Sequence, residues 1–285
     1  MVHALHPYHR DVTGRRARRD FHFGIFNNRA SCAMEMSKKQ FQIITGLVYQ
    51  HSGIRLHEGK ETLLSARLAK RLRATGIVLV EEYLKILESD PQEMIAFLDV
   101  ISTNHTFFFR ESHHFAYLQE KHAHIWCAAS SSGEEPYSMA IHCREKGCTP
   151  LLLATDISTK VLATAAAGIY PMEKAKGIPS HLFRKYFQKG CGSFQGQIRV
   201  REEIRRMVSF RRINLIEDPP PNQAFDVIFC RNVLIYFDKA AKEKVLNKLY
   251  QVLKQKGYLV VGGAESLSSL KHPYSYVEPS VYMKL

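Results

Sequence analysis

The sequence predicts an α/β protein. A mostly parallel, doubly wound sheet is preceded by a small all-helical domain and interrupted by an antiparallel β-subdomain. Three observations lead there. From about residue 125 onward, short apolar runs alternate with helix-like stretches. Residues 37–103 show helical periodicity alone. Between Tyr170 and Met207 the alternation breaks, and Gly190, Gly192 and Gly196 punctuate short β-like pieces.

Residues 1–35 are rich in histidine and arginine and weakly periodic, and read as a disordered basic tail with Met34 or Met36 as an alternative start. Ser37 can N-cap KKQFQIITGLVYQHSG, where Phe41, Ile44 and Val48 recur at helical spacing and Gly53 ends the run. In LLSARLAKRLRATG, Leu64, Leu68 and Leu72 make an apolar stripe. Arg67, Lys70 and Arg71 share a different face, and Gly76 stops the helix. VEEYLKILES and PQEMIAFLDVIS complete a helical domain over residues 36–103, the latter with Pro91 in its first turn. Residues 104–285 then form the α/β domain, with an inserted helix and ribbon at about 171–206. Its strands are IWCAAS, LLLATD, VSFRRIN, AFDVIFCRN and GYLVVGGAE; its helices are PYSMAIHCREKG, STKVLATAAAG and KAAKEKVLNKLYQVLKQKG. YSYVEPSVYMKL reads as a closing hairpin around Glu278-Pro279, so the last strand is antiparallel.

Composition bounds the class. The 285 residues are 45% hydrophobic and 24% charged, ordinary for a soluble globular protein. No apolar run approaches the ~20 residues that span a bilayer. The N-terminus lacks the apolar segment of a signal peptide. A cytoplasmic protein with no membrane insertion is expected. The six cysteines form no CxxC pair and fit reduced, buried thiols. The fourteen histidines form no ligand-type spacing, so no metal is expected. The net charge of +13 gathers in two stretches. One holds Arg67, Lys70, Arg71 and Arg73 with no acid; the other, Arg184 to Arg212, opposes nine basic residues to Glu202 and Glu203. Such patches suit an acidic partner, or are simply solvated faces.

Chemistry is expected where the strands end, because open α/β sheets bind ligands there. Ser130, Ser131, Ser132, Gly133, Glu134 and Glu135 follow the first strand, and Asp156 ends the second. Asn214 and Leu215 follow the third, and Arg231, Asn232 and Tyr236 the fourth. An acid ending the second strand is placed to accept ribose hydroxyls. Small residues after the first strand let a ligand approach the backbone, but a pyrophosphate cradle is missing and two carboxylates would repel phosphate. A cationic nucleoside fits better, and S-adenosylmethionine (SAM) matches: adenosine for Asp156, sulfonium and α-ammonium for the acidic turn. The bland alternative is that the two glutamates favour a helix N-terminus and Asp156 caps the next helix. Glu134 is assigned to helix-end electrostatics.

STNHTFFFRESHHF, IWCAASSSGEEPYSMAI, LLATDIST with AGIY, and FDVIFCRNVLIYFDK together closely resemble the bacterial chemotaxis-receptor methyltransferases, the CheR family, over about Ser37 to Leu285. The resemblance implies a Rossmann-like class I SAM-dependent methyltransferase sheet with a helical N-terminal domain and a β-subdomain. It implies methyl transfer from SAM to γ-carboxylates of receptor glutamates. The products would be glutamyl methyl esters and S-adenosylhomocysteine (SAH), in the service of sensory adaptation. It implies SAM contacts from Asn104, Thr106 and Arg110 in the segment joining the domains. Glu135 would take the α-ammonium or a nearby donor and Asp156 the ribose, with Asn214, Leu215, Asn232 and Val233 around the adenine and methionine moieties. Arg110 and Tyr236 are expected to orient the substrate carboxylate as charged and hydroxyl donors.

The partners implied are cytoplasmic domains of methyl-accepting chemotaxis receptors, met by a monomer. Arg67, Lys70, Arg71 and Arg73 match the family's basic helix, which faces the acidic methylation helices. KGCGSFQGQIRV resembles the subdomain version that binds the receptor's C-terminal peptide by strand addition, through Lys189, Gly190, Gly192, Gly196 and Arg199. Lys189 departs from the arginine of better-known members, a change that matters at a bidentate site. Two other readings are an RNA or DNA methyltransferase, suggested by the charge, and a non-catalytic adaptor. Against the first, Asp218-Pro219-Pro220 sits before Pro221 in a loop-like run, with no amino-base methylation motif.

Overall fold

The computed structural model describes residues 36–57, 59–118 and 123–285; the expected N-terminal tail lies outside them. The described chain opens with α1 (Lys38–Ser52), α2 (Glu61–Thr75), α3 (Val80–Ser89) and α4 (Pro91–Ile101). Ser37 caps α1 in a reciprocal box with Gln40, and Gly53 takes the left-handed C-cap at φ 68°. Asp90 caps α4 ahead of Pro91. The leucine stripe of α2 is buried with Ile44, Tyr83 and Phe97 in one core.

The chain continues through β1 (His124–Ala128), α5 (Glu134–Glu145), β2 (Leu151–Asp156), α6 (Thr159–Ala167) and β3 (Ile169–Pro171). Next come α7 (Ser180–Tyr186), β4 (Phe187–Lys189), β5 (Gln197–Val200), α8 (Glu202–Arg205), β6 (Val208–Arg212) and β7 (Phe225–Cys230). Last are α9 (Lys239–Val252), β8 (Leu253–Val261), β9 (Ser275–Glu278) and β10 (Val281–Met283). The main sheet has the order β6-β2-β1-β7-β8-β10-β9. From β6 to β8 it is parallel, and the β9–β10 hairpin closes it antiparallel. β1 and β7 are covered on both faces over Ile125–Ala128 and Val227–Cys230, which is why those stretches are continuous apolar runs rather than alternating ones. The chain builds outward from β1 through β2 to β6, then crosses to β7 on the other side of β1. That reversal makes a crevice beyond the carboxyl ends of β1 and β7.

A separate antiparallel sheet, β3-β5-β4, forms the subdomain together with α7. Gly190 is obligatory there: a Cβ would lie 2.0 Å from the Phe194 carbonyl oxygen. One element ends earlier than its sequence suggests. Helical propensity carries α9 on to Gly257, yet the helix stops at Val252 and Leu253 begins β8. Leu253 is buried and pairs with Phe225, so burial overrides the helix-forming KQK run.

Candidate active site

The strand ends open into a cleft of about 250 Å³, whose far wall comes from the α1–α2 connection, α2 and the segment after α4. That segment, residues 103–111, straps across the cleft. Asn104, Thr106 and Arg110 on the strap line it, as do Glu135 and Asp156. So do Asn214, Leu215, Asn232 and Val233, together with Tyr236 and Arg67. Residues scattered over 170 positions of sequence are thus gathered by topology.

The turn after β1 is left-handed at Ala129 (φ 71°), Ser131 (φ 49°) and Gly133 (φ 94°). Gly133 is required for packing too, since a Cβ would meet the Ala165 Cβ at 2.8 Å. Consecutive helical residues project about 100° apart, so Glu134 and Glu135 diverge. Glu135 faces the cleft. Its Oε2 is 3.0 Å from Arg231 Nη1, and the Cys127 thiol donates to its Oε1 at 3.6 Å. Burial raises its pKa, with Arg231 opposing. Glu134 is fully buried and off the cleft, held by Ser132 Oγ at 2.6 Å and Lys174 Nζ at 2.8 Å. It is therefore an ion-pair partner as well as an N-terminal carboxylate. Asp156 accepts the backbone N–H groups of Ser131 (2.8 Å) and Ser158 (3.0 Å). Burial raises its pKa and these bonds counter it.

Arg231 was legible as a strand-end residue but carried no assigned role. It is the hub of the site. Its side chain is 0% exposed, and Nη2 reaches Glu111 (2.9 Å) and the Arg110 carbonyl oxygen (2.9 Å) while Nη1 holds Glu135. The signal was available: an arginine directly after the buried apolar run Val227–Cys230 must find carboxylates. His114, buried beside this cluster, is lowered to about 4 by burial first and then by Arg231, so it stays neutral. Arg231 thus faces two carboxylates, one of which, Glu111, also has Arg110 Nε at 3.6 Å. The cleft-lining carboxylates Glu135 and Asp156, with buried Ser130 and Ser131 hydroxyls that have no partner among the described residues, fit a cationic ligand bearing polar groups.

The other strand-end loops are braced from behind. The Asn214 carboxamide donates to the His51 carbonyl oxygen (2.5 Å) and Glu217 (3.0 Å), and accepts the Ile216 N–H (3.0 Å). It is engaged within the protein, so its part in the cleft wall is to fix the turn. Lys248 secures the same turn by donating to the carbonyls of Leu215, Ile216 and Asp218. Asn232 sits at φ 58°, held by its N–H to Glu265 (2.8 Å); Glu265 also accepts from Gly262 and Ile235. Val233 packs against the core of this half of the sheet. The Tyr236 carbonyl takes the Arg55 N–H, which ties the helical region to the loop after β7. Its hydroxyl has no hydrogen-bond partner among the described residues.

The basic helix needs a correction. Arg71 forms two bonds with the buried Glu93, at 2.9 and 2.6 Å, and is not available on an outer face. Arg67 points into the cleft and donates to the Ile101 carbonyl. Lys70 and Arg73 are exposed. The 3.6-residue period puts these four on more than one face, and the interior had a carboxylate to place. In the subdomain, Lys189 and Arg199 are exposed, the Lys189 ammonium lying 5.8 Å over the Phe183 ring. Gly192 and Gly196 have φ of 57° and 81°. No cluster of three His, Cys, Asp or Glu side chains is placed to share a metal among the described residues.

A parallel sheet with an acid ending β2 and an acidic turn after β1 defines a Rossmann-like methyltransferase of the SAM-dependent type. Residues 104–283 match the family "CheR methyltransferase, SAM binding domain", and residues 39–102 match "CheR methyltransferase, all-alpha domain". A chemotaxis protein methyltransferase of Salmonella typhimurium is 39% identical over 87% of this chain and 91% of its own. Those of Klebsiella aerogenes and Escherichia coli are 40% and 38% identical, each over 87% of this chain and over 90% and 92% of theirs. The chain belongs to the CheR methyltransferase family.

Proposed function

We propose that this protein methylates the γ-carboxylates of glutamates on the cytoplasmic domains of chemotaxis receptors, giving methyl esters and SAH. The observation that supports it best is the asymmetry of one cleft. Glu135 and Asp156 line it where β1 and β2 end, while Arg67 on α2, Arg110 on the strap and the unpartnered Tyr236 hydroxyl in the loop after β7 line other parts of it. Carboxylates suit a cationic cofactor; cations and a free hydroxyl suit a carboxylate substrate.

When bound, SAM supplies an electrophilic methyl group on a sulfonium. The chain's own residues have a limited task. A glutamate side chain is already ionised at pH 7, so no general base is needed. Glu135 and Asp156 would hold the ammonium and ribose, and Arg110 and Tyr236 would aim a carboxylate oxygen. Positioning of this kind is worth up to roughly 7–11 kcal/mol. The strap and α2 would exclude water from the attacking oxygen. The exposed Lys70 and Arg73 would meet the acidic receptor helices. The β-subdomain would take the receptor's C-terminal peptide along a short sheet edge, with Gly190, Gly192 and Gly196 shaping the neighbouring loop. The protein would do this as a monomer in the cytoplasm. Among the described residues no helix is long and apolar enough to cross a membrane.

The test is radiolabel from methyl-labelled SAM in receptor membranes. Label that alkali releases as methanol is expected, since methyl esters hydrolyse. Alkali-stable label, or label in RNA, would show that another acceptor is used.

A further inference from the structure

Both glutamates of the acidic turn are bound by a cation that also grips the strap. Lys174 lies in the 3₁₀ turn after β3. Its Nζ is 2.8 Å from Glu134 and 2.7 Å from the Thr106 carbonyl oxygen. Arg231, at the end of β7, holds Glu135 at 3.0 Å and the Arg110 carbonyl oxygen at 2.9 Å. The two bridges come from different parts of the fold and seize the strap four residues apart. Between and beside them the strap is in an unfavourable backbone conformation, with Phe109 at φ 59° and Glu111 at φ 46°. Non-glycine residues hold left-handed conformations only where surrounding contacts enforce them. Here those contacts are the two cations, the Phe109 N–H bond to Ser138 Oγ at 2.9 Å, and Phe108 packed edge-on against Tyr170 and Phe187.

We propose that Lys174 and Arg231 are a pair of latches that hold the strap closed over the cleft. They are positioning residues: each acts through the strap residues Asn104, Thr106 and Arg110. The acidic pair thereby has a second purpose. Its two carboxylates are the fixed posts to which the strap is tied, one post inside the cleft wall and one behind it. Lys174 also makes the β-subdomain part of the closure, because its turn is joined to β5 through the Met172 N–H bond to the Gly196 carbonyl oxygen at 2.8 Å. This inference rests on the cleft being the SAM site, but its first test does not.

Hydrogen exchange is measured by mass spectrometry on the full chain without cofactor, comparing wild type with K174M, K174R and R231K. K174M should accelerate exchange in peptides covering 104–111, with α5 and β3 unchanged. K174R, which keeps a cation able to bridge both oxygens, should restore protection. R231K keeps the charge but cannot reach Glu135, Glu111 and the Arg110 carbonyl together, so exchange at 109–111 should rise. SAH affinity, measured by calorimetry, should fall about tenfold in K174M, the scale of one charged hydrogen bond. Unchanged strap exchange in a folded K174M would overturn the proposal. Acceleration spread equally over α5 and β3 would also overturn it, since Lys174 would then merely support the local fold. Should R231K fail to fold, K174M decides alone. A wild type that binds no SAH would sink the SAM reading and leave the exchange result standing.

Discussion

The two walls of the cleft are built to different rules. On the sheet side the carboxylates and the Asn214 carboxamide are engaged inside the protein, Asp156 with two backbone amides, Asn214 with its own turn and Glu135 with Arg231, while the Ser130 and Ser131 hydroxyls are buried without a partner among the described residues. On the helical side Arg55, His57 and Lys60 are exposed at the mouth, and Leu63 is 41% exposed. The first wall is pre-ordered, so a ligand that fits it meets groups already desolvated and aimed. The second keeps its charges in water, where they attract over distance and contribute little to any single contact. A small cofactor of fixed shape suits the first; a protein surface that must arrive, react and leave suits the second.

Arg71 is the place to break that contrast hardest, because it is a charge of the helical region that follows the buried rule. Removing the guanidinium leaves the buried Glu93 carboxylate with the Tyr83 hydroxyl as its remaining partner, at a cost of about 3 kcal/mol. Arg71→Ala should therefore lower stability in denaturant unfolding by about that much and leave SAH affinity of the folded protein within about twofold. On the sheet side the outcome should invert. Asp156→Ala removes the acceptor of the Ser131 and Ser158 amides and the proposed ribose contact. SAH affinity should fall about 100-fold, corresponding to two or so charged hydrogen bonds. An effect below about threefold by calorimetry would place the ribose elsewhere.

The sequence shows which residues meet at the cleft far better than what they do there. Strand ends can be read from apolar runs and their polar successors, and one topological rule brings those ends together. So Glu135, Asp156, Asn214 and Asn232 reach one cavity. Bond partners are not legible in the same way. Nothing local tells that Glu111 and Glu135 share one arginine 96 to 120 positions away, or that Glu93 draws in Arg71. The bounds of α9 show the same limit: propensity favours helix through Lys256, and a single buried leucine decides otherwise. Periodicity reports a residue's face, while pairing depends on which distant side chain faces it.

Acidity sharpens the contrast at intermediate size. Glu135 and Asp156 are both raised from their ordinary values, burial being the main cause. Their sign is the reverse of an ordinary salt-bridged acid. Protonation is easier in the folded state, so on these two groups the unliganded fold gains as pH falls through the raised values. In the roles proposed for them, cofactor binding would need both ionised and would be lost over the same window. The rise in melting temperature caused by SAH should therefore shrink on acidification before normal carboxylates titrate. Glu135→Gln should bind SAH more weakly at pH 7 and lose part of that pH dependence. An SAH shift that stays constant down to about pH 4.5 would mean that neither carboxylate meets the cofactor.

The smallest effect is expected from Lys70 and Arg73, which share α2 with Arg71 and were indistinguishable from it as members of one basic stretch. Both are exposed, so reversing them to glutamate should change stability by no more than about 0.5 kcal/mol. SAH affinity should not move, since neither lines the cleft. What should change is the encounter with an acidic receptor helix. The apparent KM for receptor should rise severalfold at low salt. The difference from wild type should fade as salt approaches about 1 M, where charges are screened within a few ångströms. The physical reason is the one that separates the walls: a solvated charge acts through its field, and added ions cancel the field. A KM difference that persisted undiminished at high salt would mean that Lys70 or Arg73 makes a desolvated contact in the complex, and would move this face of α2 from the second rule to the first.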